Sequence, residues 1–136
     1  MRNLLLSTQD QIFIKGLYSP LRDEGFEVDI VEHASESVRY SLHKSYGVVI
    51  LDSRDVGLNA YEAASIIKHI RPETTLVLLV DTDIMENELI DDMFIIETPV
   101  ELDYFIKLLK QIINDKFMTE KKGGMYDTKR SHVNSL

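Results

Sequence analysis

The chain has 136 residues, 44% hydrophobic and 28% charged, a balance that suits one soluble globular domain able to bury a single core. It has no cysteine, which excludes disulfides and thiolate metal sites. Its formal net charge is −8, which opposes binding to a nucleic-acid backbone, and no stretch approaches the ~18 apolar residues of a membrane span.

Taken in chain order, short apolar runs alternate with segments of helical period. The opening Met1-Arg2-Asn3-Leu4 reaches polar Ser7 too soon for a signal-peptide core, so a cytoplasmic protein is expected. Asn3–Ser7 reads as a first strand. Gln11–Glu24 reads as a helix carrying Ile12, Phe13, Leu17 and Leu21, kinked at Pro20 and closed by Gly25. Glu27–Val31 alternates like a strand, and Ser35–Lys44 forms a polar amphipathic helix. Gly47–Leu51 is continuously apolar, as a strand buried on both faces must be.

Asn59, with Glu62 three residues on, marks the start of a helix reaching Ile70, with Ala63, Ile66, Ile67 and Ile70 inward. Arg71-Pro72 stops it. Leu76–Val80 is the next buried strand, Ile84–Asp92 a short and very acidic helix, and Met93–Ile96 the last strand. An amphipathic helix after Pro99 carries Leu102, Phe105, Ile106, Leu109, Ile112 and Ile113. Beyond Asp115 the hydrophobic period fades. The expected division is therefore a domain over residues 1–115 and a flexible tail over 116–136, where Lys116, Lys121, Lys122, Lys129 and Arg130 outnumber Glu120 and Asp127.

Five strands alternating with five helices imply an α/β fold, with a doubly wound parallel sheet covered on both faces. Such sheets place their site beyond the carboxyl ends of the strands, where the strand order reverses. Here those ends are Ser7-Thr8-Gln9-Asp10, Asp52-Ser53, Val80-Asp81-Thr82 and Glu97-Thr98-Pro99.

The segment Val48-Val49-Ile50-Leu51-Asp52, then Gly57-Leu58-Asn59-Ala60, Arg71-Pro72 and Leu76–Val80 resembles the response-regulator receiver domains, the CheY-like, flavodoxin-type (βα)5 fold. The resemblance covers Asn3 to Ile113. It aligns without a gap to the family pattern of apolar strand, Asp, helix, Pro and apolar strand, and Thr98-Pro99 matches the family's Lys-Pro step. It implies that Asp52 stands where a working receiver accepts a phosphoryl group.

Such a receiver also has two acidic residues after the first strand that bind Mg²⁺, a Thr or Ser after the fourth strand, a Lys after the fifth, and a mobile aromatic on the fifth. The matching positions here are Thr8 and Gln9, Val80, Thr98 and Ile95. Asp10 falls one residue late for the acidic pair, and Phe94 lies beside the aromatic position. Val56 replaces the family's Pro and Asn59-Ala60 its Asp-Gly. The stretch from Val80 to Thr98 is short, so the fourth helix is expected to be shortened or distorted.

Without anionic ligands a hard cation binds poorly, and phosphoryl transfer loses its main electrostatic support. The resemblance therefore implies a pseudo-receiver: a stand-alone, non-enzymatic signalling module of the two-component or phosphorelay type, with no cofactor and no need of aspartyl phosphorylation. Asp83, Glu86, Glu88, Asp91 and Asp92 are the candidate partner-binding acids, suited to a basic protein surface, and a homodimer through the fourth-helix and fifth-helix face fits the same region. The alternative is a phosphorylatable regulator in which Asp10 or Asp55 supplies the missing Mg²⁺ carboxylate. His33, His43, His69 and His132 have no metal-ligand spacing. Thr98-Pro99-Val100-Glu101 also reads as a helix N-cap followed by Pro.

Overall fold

The apolar runs become five parallel strands, β1 Asn3–Ser7, β2 Glu27–Val31, β3 Val48–Asp52, β4 Thr75–Val80 and β5 Phe94–Glu97, in the order β2-β1-β3-β4-β5. Among the described residues four helices join or follow them: α1 Gln11–Asp23, α2 Ala34–His43, α3 Ala60–Ile70 and α4 Leu102–Lys122. This is a computed structural model that describes residues 2–53, 59–80, 93–98 and 100–122, with side chains up to residue 113. The expected fourth helix, with Asp83, Glu86, Glu88, Asp91 and Asp92, lies outside the described residues, as does Asp55. The helix expected as the fifth is therefore α4.

Successive strand residues point to opposite faces, and both faces are covered. Leu4, Leu6, Ile50, Leu79, Phe94 and Ile96 form one core with Leu17 and Leu21 of α1 and Phe105 and Leu109 of α4. Leu5, Val49, Leu51, Leu78, Val80 and Ile95 form the other with Ala34 of α2 and Ala63, Ala64 and Ile67 of α3. Each fully buried Leu, Ile or Phe contributes on the order of 1.5–3 kcal/mol. All five residues of β3 are buried, because this strand is central and lies under helices on both sides.

The helix ends follow local chemistry. The Asp10 carboxylate accepts from the Ile12 and Phe13 amides, capping α1. At its other end Gly25 takes φ 95°. Its amide donates to the Arg22 carbonyl and that of Phe26 to the Leu21 carbonyl, the paired bonds of a Schellman stop. The Glu36 carboxylate reaches back to the His33 amide ahead of α2. Asn59 accepts from the Tyr61 amide at the start of α3.

Three expectations need correction. Ile66 is 41% exposed; the buried stripe of α3 is Ala60, Ala63, Ala64 and Ile67, since the helix is rotated so that small residues meet the sheet. Ile12 is 82% exposed, leaving Leu17 and Leu21 as the buried residues of α1. Finally, α4 continues past Asp115 to Lys122. Loss of an apolar stripe removes the packing signal, yet Lys, Met and Glu remain good helix formers.

Polar side chains tie the opposite, amino-terminal end of the sheet. The Asn3 amide donates to the Ser45 carbonyl while its oxygen accepts from the Gly47 amide. The Thr74 hydroxyl donates to the Tyr46 carbonyl. Among the described residues, no helix is long and apolar enough to cross a membrane.

Candidate functional site

In the strand order β2-β1-β3-β4-β5 the chain moves one way from β1 and the other way from β3. The carboxyl ends of these two strands therefore flank the point where a doubly wound sheet opens. The register Ser7 to Leu51 sets Thr8 beside Asp52. Backbone bonds hold both in place: the Thr8 amide donates to the Val31 carbonyl at 3.1 Å, and the Ser53 amide to the Leu79 carbonyl at 2.9 Å.

Asp52 is 2% exposed and Thr8 fully buried. The Thr8 hydroxyl donates to Asp52 Oδ2 at 2.8 Å. The same hydroxyl oxygen accepts from the Asp10 amide at 3.1 Å. A buried carboxylate needs such donors, because burial without them costs several kcal/mol or more. Asp10 in turn directs its Oδ1 to two amides of α1, each at 3.1 Å. The chain of bonds thus runs from Asp52 through Thr8 to the turn carrying Asp10, and on into the first turn of α1.

Gln9, Val80, Ile95 and Thr98, the other described sequence candidates, make their contacts elsewhere. Gln9 is exposed, and its Nε2 lies 3.1 Å from His33 Nδ1. Val80 and Ile95 are fully buried in the α2–α3 core. The Thr98 amide and hydroxyl both donate to the Val80 carbonyl, at 2.8 and 3.0 Å. These bonds fasten β5 to the end of β4, and α4 begins at Leu102 rather than directly after Thr98. Phe94 faces the α1–α4 core, on the opposite side of β5 from Ile95.

No family model and no curated protein matches the sequence. Solved structures do match the fold. A response regulator receiver protein from Sinorhizobium medicae superposes with a TM-score of 0.74 at 21% identity, covering 84% of this chain and 95% of that one. A CheY-like receiver domain protein from Methanospirillum hungatei gives 0.76 at 16% identity, covering 87% and 98%. A chain from the complex of histidine kinase ThkA with response regulator protein TrrA gives 0.66 at 20% identity, covering 82% and 97%.

The chain has the receiver fold. In that fold the end of β1 is where an acidic pair would hold Mg²⁺. At those two positions Thr8 and Gln9 offer no anionic oxygen of the kind a hard cation requires. Thr8 presents a hydroxyl whose proton is directed at Asp52. Gln9 turns to His33, and one oxygen of Asp10 is engaged by two helix amides. Among the described residues, no three or more His, Asp or Glu side chains are grouped to hold a metal ion.

By sequence Asp10 falls one residue late for the acidic pair. Its position directly before the periodic residues of α1 was the signal for a cap. The Thr8–Asp52 bond had no such local signal, because it joins residues 44 apart.

Proposed function

We propose that this receiver-fold domain is a cytoplasmic protein-interaction module of two-component-type signalling that works without aspartyl phosphorylation and without turnover of its own. The observation that supports the reading most is the Thr8 hydroxyl on the Asp52 carboxylate. Asp52 keeps the place of a phosphoacceptor while its neighbour is a neutral donor, so the charge-neutralising groups on which phosphoryl transfer depends are missing from the end of β1. A net charge of −8 favours a partner with a basic surface, with association faster at low salt. One solved structure of this fold is described as a chain in complex with a histidine kinase, which makes a signalling protein the natural class of partner.

The test is incubation of the intact protein with acetyl phosphate and Mg²⁺, followed by intact-mass analysis and peptide mapping. The expected result is no phosphoryl adduct on Asp52. Stoichiometric labelling of Asp52, absent from Asp52→Asn, would establish the phosphorylatable alternative instead.

A further inference from the structure

The mismatch between the end of β1 and a divalent cation has a structural counterpart. We infer that the Thr8 hydroxyl takes a cation's place at Asp52, making the β1–β3 junction a metal-independent joint that positions the α1 amino terminus. This deepens the reading above and rests on it for its signalling meaning, but the joint itself is a matter of bonds already present.

Thr8 Oγ1 gives its proton to Asp52 and receives the Asp10 amide. Donor and acceptor on one buried oxygen hold the β1–α1 turn against the end of β3. Asp10, fixed by that turn, caps α1 through the Ile12 and Phe13 amides. A cation at Asp52 would meet the neutral Thr8 oxygen, whose proton already points at the carboxylate, in place of a second carboxylate. Thr8 is thus a positioning residue: it acts on α1 through Asp10, and on Asp52 by supplying a proton where a metal would supply charge.

Two measurements on the full chain test this. Thermal unfolding is followed with millimolar MgCl₂ and with EDTA, in wild type and Asp52→Asn. The expected result is the same response to Mg²⁺ in both proteins. A Mg²⁺ stabilisation of wild type that Asp52→Asn lacks overturns the inference.

Amide hydrogen exchange is then compared between wild type, Thr8→Val and Thr8→Ser. Losing a buried hydrogen bond to a charged group should speed exchange at Asp10, Ile12 and Phe13 roughly tenfold or more in Thr8→Val, with β4 amides moving less. Thr8→Ser, which keeps the hydroxyl, should restore protection. Equal protection of the α1 terminus in all three proteins overturns the inference, and so does failure of Thr8→Ser to restore it. Neither measurement involves phosphoryl transfer, so labelling of Asp52 and loss of this joint are separate outcomes.

Discussion

The Tyr46 hydroxyl donates to Asp29 Oδ2 at 2.6 Å, and Lys44 Nζ lies 3.1 Å from the same oxygen. Tyr46 is buried just ahead of β3, and Asp29 sits in the middle of the edge strand β2. The pair therefore staples the edge of the sheet to its centre. The Tyr46 hydrogen bond, opposed by burial and aided by Lys44, holds the Asp29 carboxyl below its ordinary value. Burial and then the Asp29 bond push the Tyr46 phenol above its own.

These shifts fix the sign of a pH dependence. Asp29 is depressed on folding, so its contribution is present above the unfolded value of about 3.9 and is lost as pH falls through the lower folded value. Tyr46 is raised, so its contribution is present below about pH 10 and is lost as pH rises beyond it. A Tyr46→Phe variant should be less stable near neutrality. It should also show a shallower decline on both the acid and the alkaline side. Urea unfolding across the pH range checks this; an alkaline decline equal to wild type would remove Tyr46 from the explanation.

Gly16 of α1 faces Leu102 at the start of α4. A Cβ added at Gly16 would clash with Leu102 Cδ1, so the absence of a side chain lets the two helices meet. Gly16→Ala gains about 1 kcal/mol of helix propensity but overpacks the contact at a cost of about 1–3 kcal/mol. The expected net is a loss of up to about 2 kcal/mol. Trimming the neighbour in Gly16→Ala/Leu102→Ala should cost less than the two single changes summed. Denaturant midpoints of the four proteins measure that coupling.

Gly25 carries φ 95° at the end of α1. An added Cβ would meet only Arg2 side-chain atoms at ordinary contact distance, so the penalty there is conformational rather than steric. Gly25→Ala should destabilise by about 1–2 kcal/mol, and Gly25→Asn by less, since Asn tolerates this region better. The ranking of Gly, then Asn, then Ala in thermal midpoint is the check.

Removing either partner of the Thr8–Asp52 bond leaves the other buried. Thr8→Val and Asp52→Ala should each cost roughly 1–3 kcal/mol. Because they remove the same bond, the double variant should fall short of their sum by about 0.5–3 kcal/mol. An additive double variant would show that the two side chains do not depend on each other in solution.

Much of the fold was readable from residue order. Val48 to Asp52 had to be a strand covered on both faces because it offers no polar face before its last residue. Gly25 and Asn59 marked helix ends through local chemistry, and both ends form as expected. The α3 stripe was less legible. Ala60, Ala63, Ala64 and Ile67 turn inward and Ile66 outward, because close approach to α2 and the sheet favours small residues over the most apolar ones. Likewise Ile12 is apolar by type and exposed by position, lying in the first turn of α1.

Sequence alone determined the alternation of strands and helices, hence a parallel sheet, and its resemblance to receivers singled out Asp52 at the end of β3. Tertiary structure decided what surrounds Asp52. The register of β1 on β3 brings Thr8 within 2.8 Å of it, and the cap on α1 draws Asp10 to the helix amides. Such relations depend on strand order and register, which set distances between residues far apart in the chain, and no local pattern of residue types encodes them.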